Sequence, residues 1–298
     1  MFKNKYLYVI ILSWKRNNYK GSVLMKYKFI SDSHIHSKNS FDGHDSAIMM
    51  CERAANLGLY SVTITDHCEC NEYYGNDENI DYRKAIENSI KDTSKARAMY
   101  MDRVNVYTGI ELGQPYQNMR AAEEVLSLAD YDFVIGSLHN LRDERDFYFL
   151  EYTPQNAPIL LDRYFAELTE LAELNCFDSL AHLTYPMRYI SAYPDITANI
   201  NYFKNELDKV LSTLAKNDKA LEVNTSGLRQ KIGKTLPDED VIKRFRELGG
   251  KYVTIGSDAH RWGDVGSGIE EGLQLLLKCG FTHFTVYEKR CPKLLPIL

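Results

Sequence analysis

The sequence lacks the features that mark secreted or membrane-spanning proteins. An apolar run at residues 6–12 is far shorter than the ~20 residues that a membrane helix needs, and no small-residue cleavage site follows it. The six cysteines are spread along the chain without the dense spacing of a disulfide framework. We therefore expect reduced thiols and a cytoplasmic protein.

Positive charge is also scarce. The chain has 36 lysines and arginines against 41 aspartates and glutamates, for a formal net charge of −5, which argues against broad electrostatic binding to nucleic acid. Small anionic substrates remain compatible with this balance, because bound divalent cations make a pocket locally positive even in an acidic protein. We expect neither nucleic acid nor a membrane as a partner.

Nothing in the sequence divides it into domains, since it has no internal repeat, low-complexity tract or Pro/Ser-rich linker. Hydrophobic residues make up 44% and charged residues 26%, as in soluble proteins with a sizeable core, and α/β barrels often reach this length as one unit. We expect one domain over residues 25–298. We also hypothesise that translation naturally begins at Met25, which would make residues 1–24 an extension.

Short β-rich runs alternate with amphipathic segments of helical length, a pattern typical of parallel βα units. Gly58 and Gly249 are expected to end two of the helices. Seven predicted strands imply a barrel. The strands are predicted at residues 29–33, 61–65, 105–110, 133–137, 179–181, 221–224 and 252–257, and the helices at 46–57, 82–101, 121–128, 159–174, 201–214 and 239–248.

Metal-ligand side chains stand where the predicted strands end. His34 and His36 are two positions apart on a strand and therefore point to the same face. Chance or core packing rarely repeats such residues on six strands, and imidazole nitrogens with carboxylate oxygens suit zinc, manganese or iron. The sequence therefore predicts a multinuclear metallohydrolase. The other strand-end residues are Asp66, His67, Glu111, His139, His182, Asp258 and His260.

Some neighbouring residues have other interpretations. Cys68 and Cys70 closely follow His67, but their spacing matches no zinc-ribbon pattern, so we interpret them as loop packing. Asp32 and Asp66 either hydrogen-bond a ligand imidazole or cap a strand end. His283 lies outside every cluster and is interpreted as a surface or packing residue.

The ordered motifs resemble those of the PHP family, the polymerase and histidinol phosphatase superfamily, from about Phe29 to Val286. Residues 221–229 and 257–261 resemble its histidinol-phosphatase members most. The resemblance implies an α/β fold, a distorted (β/α)7 TIM-like barrel of the PHP type, with three divalent metal ions. The motifs are Asp-X-His-X-His at 32–36, Thr-Asp-His at 65–67, Gly-Ile-Glu at 109–111, Ser-X-His at 137–139, His182 and Ser-Asp-Ala-His at 257–260.

The resemblance also implies how the ligands divide among the three ions. The third site has one open ligand, Asp42 or His44. Asp42 has the better spacing from the His-X-His pair, and an Asp-Gly turn exposes its carboxylate. The implied sets are His34, His36, Glu111 and Asp258 for the first ion; Glu111, His139 and His182 for the second; and His67, His260 and Asp42 for the third.

Phosphate monoester hydrolysis fits such a centre, because paired divalent ions lower the pKa of bound water and clamp phosphoryl oxygens. We expect Glu111, Asp258 and His260 to be catalytic, while the general acid is either a metal-bound water or His260 if it is not a ligand. The long loop at residues 140–158 is predicted to act as a lid or specificity element. Predicted substrate-binding residues are Arg188, Arg229 and Arg261, which could fork onto phosphate, and Asn224, which could reach substrate or order its loop.

The resemblance implies hydrolysis of L-histidinol phosphate to L-histidinol and phosphate in histidine biosynthesis. The alternatives are a phosphatase for phosphotyrosine or another small phosphate ester, a non-catalytic metal-binding PHP module, and an amidohydrolase-like barrel. No lysine at a rim strand supports the last of these. The sequence leaves open which of zinc, manganese and iron is bound, and it leaves open the oligomeric state.

Overall fold

The structure, a computed structural model, describes residues 27–71, 80–196 and 199–298. The predicted extension at residues 1–24 and the proposed start at Met25 lie outside these ranges. Among the described helices, none combines the length and the apolar character that crossing a bilayer requires.

Seven parallel strands form the wall of a barrel, in the order β1-β2-β4-β5-β6-β7-β8. The wall closes between its first and last strands, where His36 N donates to Ala259 O and Asp258 N donates to His34 O, both at 2.8 Å. The predicted (β/α)7 barrel is therefore confirmed. The strands of the described residues are β1 (Ser31–Ile35), β2 (Ser61–Ile64), β3 (His67–Glu69), β4 (Asn105–Gly113), β5 (Phe133–Ser137), β6 (Ser179–Leu180), β7 (Ala220–Asn224), β8 (Val253–Gly256), β9 (His283–Glu288) and β10 (Cys291–Pro296).

Helices follow most of the wall strands, and local sequence sets their ends. Ser46 caps the first helix by accepting from Met49 N, and Gly58 and Gly249 take left-handed φ angles of 73° and 93° where two helices stop, as predicted. The helices are α1 (Ala47–Leu57), α2 (Tyr82–Tyr100), α3 (Met119–Leu126), α4 (Asn156–Glu173), α5 (Met187–Ile190), α6 (Lys204–Lys216), α7 (Glu239–Glu247) and α8 (Ile269–Lys278), and 3-10 turns lie at Pro115–Gln117, Phe147–Phe149, Ile200–Phe203, Ser226–Arg229 and Trp262–Asp264.

Sequence patterns did not predict the short strand β3, the helices α5 and α8, or the C-terminal hairpin of β9 and β10. Helix α8 contains Gly272, a poor helix former, at a point where a larger side chain would run into Ile255 Cδ1. The packing of α8 against the barrel therefore requires a residue that weakens its helical signal.

The C-terminal hairpin covers the end of the barrel at which the strands begin. Arg290 N donates to Asp132 O at 2.9 Å, and Arg290 Nε donates to Asp178 Oδ2 at 2.5 Å. The ring of Tyr287 stacks on Phe133, with centroids 5.2 Å apart. The hairpin thus closes the bottom of the barrel and shields its first residues from water.

We predict that Tyr287→Ala lowers the free energy of unfolding by about 3 kcal/mol, because it removes a buried ring and leaves a cavity against Phe133. Urea denaturation followed by circular dichroism would measure the loss. Tyr202→Ala is the matched control, since 76% of Tyr202 is exposed. Equal stability of the two variants would mean that the hairpin does not support the barrel.

Candidate metal centre

Glu111 is fully buried on β4 and lies at the centre of a cluster of imidazoles. The register of the sheet pairs Glu111 with His67 of β3, which brings these two side chains to the same height. Its Oε1 lies 3.0 Å from His182 Nε2 and 3.2 Å from His139 Nε2. Its Oε2 lies 2.9 Å from His67 Nδ1, 3.2 Å from His34 Nε2 and 3.4 Å from His36 Nε2.

Two aspartates extend this cluster toward the rim. Asp258 Oδ1 lies 3.4 Å from His36 Nε2, and the residue has a left-handed φ of 54°, an unusual conformation for aspartate that is typical of functional sites. Asp42 Oδ2 lies 3.1 Å from His260 Nε2, and its Oδ1 lies 3.7 Å from His67 Nε2. His44 instead lies 2.9 Å from Arg261 Nη2. Asp42, rather than His44, is thus the residue placed between the two imidazoles.

The chemistry of the cluster fits divalent cations. His34 Nε2, His36 Nε2 and His67 Nδ1 are buried close to Glu111 Oε2, but none of these four atoms makes a hydrogen bond of acceptable geometry with a described residue. Buried polar atoms in proteins rarely lack a partner, and these lone pairs converge on one another. Four overlapping groups of potential ligand atoms, each within 4.8 Å of one another, are His34, His36 and Glu111; Glu111, His139 and His182; His36, His67 and His260; and His67, Glu69 and His139.

The carboxylates of the cluster are ionised, and protonated imidazoles balance their charge, a role that metal cations can take over. Burial by itself would raise the pKa of Glu111, but the His34, His67 and His139 imidazoles hold that pKa well below its usual range. Burial likewise opposes ionisation of Asp258, but the close approach of His36 and the charges of His34, His260 and Arg188 hold its pKa well below its usual range. Both carboxylates are therefore ionised at neutral pH and able to bind a cation.

Glu222 of β7 holds two parts of the cluster in place. Its Oε1 accepts from His34 Nδ1 at 2.7 Å, and its Oε2 accepts from the backbone N of His182 at 2.7 Å. A carboxylate on Nδ1 fixes the tautomer and turns Nε2 toward the cluster. We did not predict this role, although Glu222, a charged residue between Leu221 and Val223 in a buried strand, was a signal in the sequence.

We predict that Glu222→Gln weakens metal binding about 10- to 100-fold, the usual effect of removing the residue that orients a metal-bound histidine. Both oxygens of Glu222 accept hydrogen bonds, so the amide NH2 of glutamine must face a donor. Zinc competition against a fluorescent chelator would measure the change. Glu167→Gln is the matched control, because Glu167 is a buried acceptor outside the cluster. Unchanged affinity in Glu222→Gln would contradict this role.

Asp32 and Asp66 take the strand-end role and contact no imidazole directly. Asp32 accepts from Ser257 N and Gly266 N, both at 2.8 Å, and so joins the loop after β8 to β1. Asp66 Oδ1 accepts from Ser40 Oγ at 2.9 Å, and Ser40 Oγ in turn lies 3.2 Å from His36 Nδ1. Asp66 therefore orients an imidazole only through Ser40.

Glu69 is a further carboxylate of the cluster that the sequence motifs did not predict. Its Oε1 lies 2.9 Å from His139 Nδ1 and 3.5 Å from His67 Nδ1, and its Oε2 accepts from Gln114 Nε2. Gln114 Oε1 also accepts from His139 N at 3.0 Å. The same i, i+2 spacing that drew attention to His34 and His36 relates His67 to Glu69 and could have identified it.

Gly256 lets β1 and β8 come together behind the cluster. A Cβ atom at this position would collide with His34 Cβ, and it would lie only 2.8 Å from Glu222 Oε1. The absence of a side chain at Gly256 is therefore a condition for placing His34 against its orienting carboxylate.

The three predicted arginines line one cavity of about 230 Å³ beside the cluster. Arg188 is almost fully buried, and its Nη2 donates to Ser226 Oγ at 2.9 Å and to Asp258 Oδ2 at 3.2 Å. Arg229 donates to Ser257 O at 2.8 Å, and Arg261 lies at the exposed edge. The cavity is lined by His44, Arg188, Ser226, Arg229, Gln230, Asp258, His260, Arg261 and Asp264.

Asn224 lies behind this cavity and has no free polar atom to offer a substrate. Its Nδ2 donates to Glu222 Oε2 and Asp258 Oδ2 at 3.2 and 3.4 Å. Its Oδ1 accepts from Ser226 N and Oγ, and the residue is fully buried. These contacts favour the alternative in which Asn224 orders the loop, and a contact with substrate stays a prediction.

Cys68, Cys70 and His283 have packing or surface positions. Cys68 and Cys70 are buried in the hydrophobic core, and among the described residues no cysteine joins a group of potential metal ligands. His283 is exposed at the start of β9. The segment 140–158, predicted as a loop, contains the 3-10 turn Phe147–Phe149 and ends inside the first turn of α4. It runs beside the cluster, where Phe147 N donates to His139 O at 3.0 Å, and its role as a lid or specificity element stays a prediction.

Known proteins resemble the chain over most of its length. It is 32% identical over 260 residues to a probable histidinol-phosphatase of Thermotoga maritima (87% of this chain, 96% of that protein), and 29% identical over 272 residues to a probable histidinol-phosphatase of Clostridium acetobutylicum (89% and 99%). A crystal structure of histidinol phosphate phosphatase from Lactococcus lactis, complexed with zinc, L-histidinol and phosphate, superposes with a TM-score of 0.70 at 23% identity (89% and 98%) and shares the fold. The family model of the PHP domain matches residues 32–226 of the sequence. The chain therefore belongs to the PHP family.

Proposed function

We propose that this protein is a metal-dependent phosphomonoesterase that hydrolyses L-histidinol phosphate to L-histidinol and phosphate, as in histidine biosynthesis. The observation that carries the proposal is the position of the arginine-lined cavity, whose wall includes Asp258 and His260 of the Glu111-centred cluster. The names of the Thermotoga and Clostridium relatives support the choice of substrate.

The proposal includes three divalent cations. The first is assigned to His34, His36, Glu111 and Asp258, the second to Glu111, His139 and His182, and the third to Asp42, His67 and His260. The convergence of these donor atoms supports the assignment. When bound, such ions lower the pKa of a coordinated water and neutralise charge on the phosphoryl oxygens. Zinc, which the Lactococcus structure contains, is the first metal to test.

The arginines supply the other half of a phosphate site. Arg188 lines the cavity, and its Nε is a donor that no described residue uses. A fork of N–H groups matches the geometry of phosphate oxygens better than a lysine does. We assign Arg188 to the phosphoryl group, with Arg229 and Arg261 completing the positive wall of the cavity.

The catalytic assignments follow from these positions. Glu111 holds the two sides of the cluster together through its two oxygens, and Asp258 connects the cluster to Arg188. His260 Nδ1 lies 3.0 Å from Asp258 O, which turns its Nε2 toward Asp42. We assign His260 and Asp258 to the rim of the site, where they would hold the cations that face the phosphoryl group.

The test is phosphate release from a panel of esters after loading the chelated protein with zinc, manganese or iron. L-histidinol phosphate should exceed p-nitrophenyl phosphate, phosphotyrosine and a nucleoside monophosphate in kcat/KM by about tenfold or more, because polar recognition of the alcohol part discriminates strongly. The chelated protein is the control.

The possible results separate the alternatives. Equal rates on all esters would reject the substrate and retain a general phosphatase. Binding of metal without turnover of any ester would reject catalysis in favour of a metal-binding module.

A further inference from the structure

Asp146 is a carboxylate near the candidate site with no basic partner. Its Oδ1 accepts from Tyr148 N at 2.7 Å and from Tyr185 Oη at 3.0 Å. Within the described part of the chain, no hydrogen bond reaches Oδ2 and no lysine or arginine forms an ion pair with Asp146. Glu144, two residues earlier on the same loop, is paired with Arg163 at 2.8 Å. Unlike Glu144, Asp146 therefore has a carboxylate oxygen that no described basic residue neutralises.

Tyr185 connects Asp146 to the proposed chemistry. Its ring lies 5.0 Å from the ring of His139 and 4.9 Å from that of His182. The guanidinium of Arg188 lies 4.9 Å from the centroid of the same ring. The ring of Tyr185 therefore lies between Asp146 on one side and the imidazole cluster and Arg188 on the other.

The surroundings of Asp146 favour a cation. Burial raises the pKa of its carboxyl group, and the nearby His139 only partly opposes this effect. A partly desolvated carboxylate gains from a bound cation. Tyr189, whose hydroxyl donates to Tyr185 Oη at 2.9 Å, is partly exposed and adds aromatic surface of the kind that attracts ammonium groups.

We propose that Asp146, with Tyr185 beside it, binds the ammonium group of the alcohol part of the substrate and so selects phosphate esters of amino alcohols. This inference rests on the proposed phosphomonoesterase function and adds the recognition of the leaving group. The ring of Tyr185 lies against both His139 and Arg188, so with the phosphoryl group between the cluster and Arg188 we place the alcohol part on the Tyr185 side, toward the loop that carries Asp146. The ammonium then meets Oδ2, the oxygen that no described residue uses.

Asp146→Asn tests the proposal because asparagine keeps Oδ1 for Tyr148 and Tyr185 and replaces only the charge at Oδ2. The ratio of kcat/KM for L-histidinol phosphate to that for p-nitrophenyl phosphate should fall about 10- to 100-fold, as expected for loss of a charge-assisted hydrogen bond. Asp143→Asn is the matched control. Asp143 is exposed on the same loop, and its φ of 62° is one that asparagine tolerates.

A second measurement is independent of turnover of the natural ester. L-histidinol should inhibit hydrolysis of p-nitrophenyl phosphate, with an inhibition constant about 10- to 100-fold higher in Asp146→Asn than in the parent protein. An unchanged ratio and an unchanged inhibition constant would overturn the proposal, as would an equal fall for both esters.

O-phosphoethanolamine, which has an ammonium group but no imidazole, identifies the group that is bound. A loss on both amino-alcohol esters in Asp146→Asn supports the ammonium, whereas a loss on L-histidinol phosphate alone assigns Asp146 to the imidazole and overturns the proposal as stated. If the parent protein does not prefer L-histidinol phosphate, the proposed substrate fails. The comparison of O-phosphoethanolamine with ethyl phosphate then still decides whether Asp146 selects ammonium.

Discussion

Glu111→Gln should abolish phosphate release, with kcat at least about 10³-fold lower. Glu111 is within 3.4 Å of five imidazoles, through both of its oxygens. Glutamine would turn one NH2 group toward the imidazole nitrogens that are placed to bind cations. It also removes the negative charge that two of the proposed ions share. Metal ions contribute several kcal/mol to such reactions, and each 1.36 kcal/mol is a factor of ten in rate.

The experiment compares Glu111→Gln with Glu167→Gln, measuring phosphate release, metal content and the circular dichroism spectrum. Glu167 is another buried glutamate, which accepts from Tyr116 Oη at 2.6 Å and lies outside the cluster. We expect both variants to keep the folded spectrum and only Glu111→Gln to lose metal and turnover. Full activity in Glu111→Gln would contradict the assignment of Glu111 as a ligand shared by two metal ions.

Arg188→Met should lower kcat/KM for L-histidinol phosphate about 10²- to 10³-fold, the usual effect of removing one preorganised donor from developing charge. Methionine has a comparable length and fills the buried position against Tyr185, but it has no donor for phosphate and no charge beside Asp258. Arg188→Lys should recover part of the loss, because it restores the charge but not the fork.

Metal content separates a phosphate contact from a structural effect. If Arg188 binds the phosphoryl group, Arg188→Met keeps its metal and loses affinity for inorganic phosphate as an inhibitor. Arg261→Met, on the exposed edge of the cavity, is the comparison and should change kcat/KM much less. Loss of metal in Arg188→Met would instead indicate that the arginine acts only by holding Asp258.

Much of the candidate centre could be predicted because its residues obey local rules. The parallel wall brings the ends of its strands to one rim, so histidines and carboxylates at those ends meet whatever the details of packing. The i, i+2 spacing of His34 and His36 aims both at one point. Gly58 and Gly249 mark helix ends through their own conformational freedom, which likewise depends on no distant residue.

The residues that were not predicted, or whose roles stayed open, depend largely on contacts that a local pattern does not show. Glu222 acts on His34 across 188 positions of sequence, and Asp32 joins the loop after β8 across 225. No local pattern distinguishes a carboxylate that orients an imidazole from one that anchors a loop. Asn224 has the right type and position for substrate binding, and only its internal hydrogen bonds favour the other alternative, that it orders the loop.

The C-terminal hairpin and the proposed chemistry lie at opposite ends of the barrel. Substitutions in the hairpin should therefore change the melting temperature without changing the turnover rate. Substitutions that tighten the seam between Tyr287 and Phe133 or reinforce the pairing of Arg290 with Asp178 would raise the melting temperature far from any reacting atom. A directed-evolution library confined to β9 and β10 should therefore yield variants with a higher melting temperature and an unchanged turnover rate.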